Sequence, residues 1–139
     1  MIKLFNTGET QETLRQDYNP DGSVLRRAQL RMLDMAIYLQ ETAKKIGIPL
    51  RLDGGNVLGA LRHSGFIPWD DDIDVCLPAE DFNKLLDIYD KEWSEKYSIM
   101  NTERDINYPF PTTRIMLKGT QFCEEALAPL PLNLGIFLD

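Results

Sequence analysis

The sequence carries a single histidine, His63, and only two cysteines, Cys76 and Cys123, with no Cys-x-x-Cys pair. Zinc held by thiolates and imidazoles therefore has no support, since such sites need several of these ligands at close spacing. Each cysteine lies in an apolar stretch, and two reduced, buried thiols are expected rather than a disulfide. No run approaches the roughly 20 apolar residues that span a bilayer. The first nine residues, Met-Ile-Lys-Leu-Phe-Asn-Thr-Gly-Glu, lack the apolar core of a signal peptide. A cytoplasmic protein without a transmembrane segment is the expectation. Positive charge is short as well: 15 Lys and Arg against 22 Asp and Glu leave a net charge of −7. Such a surface repels a polyanion, so nucleic acid is not an expected partner. A small phosphorylated ligand neutralised by a metal stays compatible. No internal repeat or low-complexity tract is present.

What is present suits one globular domain of 139 residues, 43% hydrophobic and 27% charged. Residues 1–22 read as a polar arm closed by the turn signal Asn19-Pro20-Asp21-Gly22, with a short strand or helix within it. Ser23 is a plausible N-cap for a long amphipathic helix. Leu25, Ala28, Met32, Met35, Leu39, Ala43 and Ile46 step along it by three and four, and Gly47 and Pro49 end it. A short strand over 49–53, a glycine turn and a helical turn or two through Leu61 follow, then a loop at 63–69 and a strand at 72–77. Pro78 opens a helix that places Phe82, Leu85, Leu86 and Tyr89 on one face. Beyond a polar segment at 94–108, the segments 112–117 and 121–126 are expected to pair as a hairpin, and 134–139 forms a last strand ending in an acid. This order predicts an α/β (α+β) fold, a mixed sheet with packed helices preceded by a long amphipathic helix, rather than a doubly wound parallel sheet.

The densest feature is Phe66-Ile-Pro-Trp-Asp-Asp-Asp-Ile-Asp-Val75, with carboxylates at Asp70, Asp71, Asp72 and Asp74. On an extended backbone Asp72 and Asp74 face the same way, roughly 6.5–7 Å apart at Cα. Neighbouring carboxylates raise one another's pKa unless a cation or substrate relieves them. Mg²⁺ takes oxygen ligands, typically one or two carboxylates with substrate phosphate oxygens, so Asp72 and Asp74 form a candidate metal pair. Asp139 is the natural third acid from another strand, and Mn²⁺ would suit the same set. A calcium loop of the EF-hand type is not expected: Val75 stands where that loop needs glycine, and Asp81 rather than Glu holds its last position.

Gly54-Gly55-Asn56, after a strand and before a helix, leaves backbone N–H groups free to hold a phosphate, though two glycines are also simply a turn. With an acidic strand close downstream, the pair describes metal-assisted handling of a phosphorylated ligand. Arg62 either reaches that phosphate or compensates a helix C-terminus, and His63 is either a structural side chain or a general base. Arg114 and Lys118, four apart on one strand, either share a face toward substrate charge or sit on an exposed face.

The ungapped stretch from Leu52 to Val75, Leu-Asp-Gly-Gly-Asn-Val-Leu-Gly-Ala-Leu-Arg-His-Ser-Gly-Phe-Ile-Pro-Trp-Asp-Asp-Asp-Ile-Asp-Val, resembles the LicD family of phosphotransferases within the nucleotidyltransferase superfamily. The resemblance implies a polymerase-β-like mixed sheet over residues 23–139, with Gly54 and Gly55 as the turn, Asp72 and Asp74 as metal ligands, and Asp139 as the third carboxylate. It implies transfer of a phosphorylated alcohol, such as phosphocholine from a CDP-linked donor, to a cell-surface glycan or its lipid-linked precursor, at the inner face of the membrane. Asn56 departs from the Thr of many relatives. Family members run further past the third acid, so this chain is expected to be an N-terminal portion truncated at its C-terminus. Two other classes stay open: a nucleotide-binding or assembly module without turnover, and a nucleotide-sugar glycosyltransferase.

Overall fold

The computed structural model describes residues 9–122 and 133–138. In chain order the elements are α1 (Gln11–Tyr18), α2 (Val24–Lys45), β1 (Arg51–Leu52), α3 (Gly54–His63), β2 (Asp74–Cys76), α4 (Ala79–Ile88), a π-helical turn (Tyr89–Trp93), β3 (Tyr97–Met100), β4 (Thr113–Leu117) and β5 (Gly135–Leu138). The five strands form one sheet in the order β1-β2-β5-β4-β3. Strands β2 and β5 run parallel and the other neighbours antiparallel, the mixed α/β arrangement expected from the sequence.

Helix α2 forms where its pattern says it should. The Ser23 hydroxyl accepts the Arg26 N–H at 3.0 Å, and Gly47 takes the left-handed conformation (φ +76°) that ends the helix. Met32, Met35, Leu39 and Ala43 bury its inner stripe against Val75, Ile115, Ile136 and Leu138 of the sheet. Leu85, Tyr89 and Trp93 complete the same core from α4 and its π-helical extension. Ile46, assigned to the stripe from its spacing, is exposed, because the helix has ended and the chain turns through Gly47.

Five expectations change in detail. The polar segment at 94–108 contains a strand, β3, whose Tyr97 is fully buried. Strand β4 pairs with β3 and β5 rather than in a hairpin with 121–126; Gln121 and Phe122 lie in no strand, and 123–126 fall outside the described residues. The acidic strand starts at Asp74, so Asp72 precedes it. The helix after the glycine turn is a full ten residues, held by close backbone packing: a Cβ on Gly59 would lie 2.6 Å from the Gly65 carbonyl oxygen. Cys76, expected to be buried, is a half-buried free thiol on β2, and Cys123 lies outside the described residues.

Register decides which side chains share a surface. Asp74, Phe137, Arg114 and Met100 stand in one row across β2, β5, β4 and β3. Side chains in register across a sheet project to the same face, so Asp74 and Arg114 flank Phe137. Ile115, Ile136 and Leu138 project to the opposite face, toward α2.

Candidate functional site

The loop from Ile67 to Asp72 and the first turn of α3 form the site. Gly54 has φ +53°, and a Cβ there would lie 3.2 Å from the Asp74 Oδ2. On Gly55 a Cβ would lie 3.4 Å from the Asp70 Oδ2. Both glycines are exposed, so the acids stand against an open helix N-terminus. Asp53 precedes α3 in extended conformation without capping it through its side chain. The partial positive charge of that helix end favours the nearby carboxylates and any anion brought there.

Asn56 ties the two halves together. Its Nδ2 donates to the Asp72 carbonyl oxygen at 3.1 Å, and its Oδ1 accepts the Asp74 N–H at 2.5 Å. The side chain is buried, and its amide holds the backbone on both sides of Ile73. This is the position where the family resemblance noted a departure, and the amide is bonded to main chain.

A second anchor comes from α2. Gln29, buried at 1% exposure, donates its Nε2 to the carbonyl oxygens of Asp70 (2.8 Å), Ile67 and Pro68 (3.3 Å each). Its Oε1 accepts from the buried Asn19 at 2.9 Å and from Arg26 at 3.1 Å. Sequence reasoning did not single out Gln29 or Asn19. The available signal was position: Gln29 falls four after Leu25 and three before Met32, on the apolar stripe itself. A polar residue in that register is buried, and burial obliges it to find partners.

Electrostatics follow from this crowding. One carboxylate oxygen from each of Asp70, Asp71 and Asp72 lies within 4.8 Å of the others. Burial, then the charges of Asp72 and Asp71, push the Asp70 carboxyl up to about 6. Burial also raises Asp72, joined by the Asp71 charge, while a hydrogen bond with Asp70 and the Arg114 charge pull it down. An all-oxygen set of this kind fits a hard divalent cation. Sequence reasoning chose Asp72 and Asp74 as the pair; the acid cluster of the structure instead joins Asp72 to Asp70 and Asp71 and does not include Asp74, whose Oδ2 faces Gly54 while that of Asp70 faces Gly55.

The other candidates divide. Arg114 is buried at 3% exposure, with its guanidinium 4.5 Å from the centre of the Phe137 ring, on the face of Asp74. Gly135 makes room for it: a Cβ there would lie 3.0 Å from the Arg114 Nε and 2.7 Å from the Ile115 carbonyl oxygen. Lys118 follows the end of β4, and its Nζ donates to the Ser94 carbonyl oxygen at 2.6 Å. Arg62 lies in the last turn of α3, about 12 Å along the helix from Gly54 at 1.5 Å per residue. Its carbonyl oxygen accepts the Gln11 Nε2 at 2.6 Å. His63 shares a hydrogen bond with the same Gln11 through Nδ1, and burial, then the Arg62 charge, lower its pKa. Its contacts are structural. Asp139 lies outside the described residues.

Comparison with known proteins converges on this region. Residues 47–115 match the family described as LicD/FKTN/FKRP, nucleotidyltransferase domain. Over 116 residues the chain is 34% identical to the lipopolysaccharide cholinephosphotransferase LicD of Haemophilus influenzae, covering 82% of this chain and 43% of that protein. Over 50 residues it is 42% identical to ribitol 5-phosphate transferase FKRP of Mus musculus and of Homo sapiens, covering 31% of this chain and 10% of each relative. The chain thus spans less than half the length of these relatives.

Proposed function

We propose that the chain acts as a member of the LicD family and takes part in metal-dependent transfer of a phosphorylated alcohol from a CDP-linked donor to a glycan or a lipid-linked glycan precursor. The observation that carries this reading is the meeting of Gly54 and Gly55 with the carboxylates of Asp74 and Asp70 at an uncapped helix N-terminus. Phosphocholine is the favoured group, following the Haemophilus influenzae relative; the FKRP relatives are ribitol phosphate transferases.

Asp72 and Asp74, with Asp70 beside them and Asp139 as a further acid, are the residues that would hold Mg²⁺ or Mn²⁺. When bound, the cation neutralises diphosphate charge and orients the donor for in-line attack by a hydroxyl. The remaining work falls to the chain itself. The Gly54 and Gly55 N–H groups offer donors to a diphosphate oxygen, and the absence of side chains lets that oxygen approach the backbone. Asn56 and Gln29 fix the acidic loop from opposite sides, so the carboxylates are positioned before the donor arrives. Arg114 adds a positive charge that opposes the upward push of burial and of Asp71 on the Asp72 carboxyl. No helix among the described residues is long and apolar enough to cross a membrane; a lipid-linked acceptor would be met by peripheral association at the inner face of the membrane.

The test is release of CMP from CDP-choline by the chain with Mg²⁺ and a glycan acceptor. Acceptor-dependent CMP that EDTA abolishes supports the assignment. Release of a nucleoside diphosphate from a nucleotide sugar instead would reassign the chain as a glycosyltransferase, and donor binding without CMP would make it a binding module.

A further inference from the structure

We propose that Tyr18 and Trp69 form the seat for the quaternary ammonium group of a choline-bearing donor, an inference that rests on the phosphotransferase reading above. Both rings are large and open, Tyr18 at 61% exposure and Trp69 at 56%. Their centroids are 5.2 Å apart with planes at 70°, so they make a two-walled corner. Exposed aromatic faces set at such an angle attract a weakly hydrated cation through their quadrupoles, and tryptophan does so best.

The corner is built, since two separate anchors fix its walls. Asn19, next to Tyr18, and Pro68, next to Trp69, are bridged by the buried Gln29, which accepts from the one and donates to the carbonyl oxygen of the other. Gln11 pins the start of α1 to Arg62 and His63 at the end of α3. The His63 ring then stands edge-on to Trp69, with centroids 6.3 Å apart and planes at 76°. A seat whose walls are already ordered loses little entropy on binding.

Charge and placement select the ligand. Asp70 and Asp71 follow Trp69 directly, and the lowered pKa of His63 keeps that ring neutral near pH 7; Arg62 beside His63 and Arg26, bonded to Gln29, are opposing cations at this end. Asp70 also faces Gly55, so the loop that carries one aromatic wall continues into the glycine-lined end of the site. Choline places its ammonium two carbons from its phosphate oxygen, which demands neighbouring sites for the two charges. A ribitol head group has no cation and gains nothing from such a corner.

Calorimetry on the whole chain with Mg²⁺ tests this, comparing CDP, CDP-choline and CDP-ribitol. The wild-type chain is expected to bind CDP-choline about tenfold more tightly than CDP-ribitol, with Trp69→Leu and Tyr18→Leu each removing most of that margin and leaving CDP affinity unchanged. Trp69→Phe should restore part of it, and retained CDP binding shows that each variant is folded. Equal affinity of the wild type for CDP-choline and CDP-ribitol, variants that keep the wild-type margin, or variants that lose CDP to the same degree, as a base-stacking platform would, overturn the seat alone. Failure of the wild type to bind CDP or CDP-choline overturns the phosphotransferase reading and the seat together.

Discussion

The Nε2 of Gln29 donates to the carbonyl oxygen of Asp70 at 2.8 Å, joining the second turn of the long helix to the start of the acidic run. The bond lies on the buried side of the loop, and its partners make the prediction sharp. Gln29→Met keeps length and volume and removes every polar contact, leaving the carbonyl oxygens of Ile67, Pro68 and Asp70 and the Asn19 amide without this partner. A loss of about 1–3 kcal/mol is expected, read from urea denaturation, because buried polar groups stripped of partners bear their full desolvation cost. Divalent-cation affinity should fall with it, since the same bond positions Asp70. An unchanged denaturation midpoint would show that the network is dispensable.

Gly54 is required for two reasons that add. Its φ of +53° disfavours any side chain, and a Cβ would press on the Asp74 carboxylate at 3.2 Å. Gly54→Ala should cost about 1–2 kcal/mol of stability from the backbone alone and weaken donor binding by moving Asp74. Gly55→Ala has ordinary backbone geometry and a looser contact, 3.4 Å to Asp70, so its stability should stay within about 0.5 kcal/mol of wild type.

Asp70 makes folding sensitive to pH when no divalent cation is present. Its carboxyl titrates at about 6 in the folded protein and near 3.8 when unconstrained, so the folded state holds its proton more tightly. Across that window this carboxyl holds more proton in the folded state than in the unfolded one, and its contribution to stability therefore falls as pH rises from about 4 to about 6. In EDTA, Asp70→Asn should flatten this part of the profile and raise the melting temperature at pH 7. An Asp70→Asn profile that runs parallel to the wild-type one through the same interval would contradict the assignment.

Arg114 should act on Asp72 through charge. Arg114→Met preserves bulk over Phe137 and removes the positive charge that lowers the Asp72 carboxyl. Carboxyl-carbon NMR titration should find the Asp72 midpoint moved to higher pH, with donor affinity reduced. An unmoved midpoint would remove Arg114 from the site's electrostatics.

Much of the fold was legible because it depends on local rules. Ser23, the stripe through Met32 and Leu39, and Gly47 each report one helix boundary or face, and the structure keeps all three. Strand β3 was not legible: Tyr97-Ser98-Ile99-Met100 is short, follows a charged run, and becomes a strand only through its pairing with β4. The same non-local pairing replaced the expected hairpin. At the site, Gly54, Gly55, Asp72 and Asp74 could be found from composition and spacing. Arg114 was grouped with Lys118 because four residues on one strand share a face, but the strand ends at Leu117, and the sheet row that sets Arg114 with Asp74 is a tertiary fact. The polar arm concealed Tyr18 and Asn19, whose importance arises only where α1 docks beside the acidic loop.

The central claim is that Asp72 and Asp74, set beside Gly54 and Gly55, bind the divalent cation that tethers a donor diphosphate. Calorimetric titration of CDP-choline in the presence of Mg²⁺ into wild type, Asp72→Asn and Asp74→Asn tests it most directly. The account predicts binding by the wild type that EDTA abolishes, and at least tenfold weaker binding by each variant with an unchanged circular dichroism spectrum. Equal affinity in all three proteins, or wild-type binding indifferent to EDTA, would contradict it.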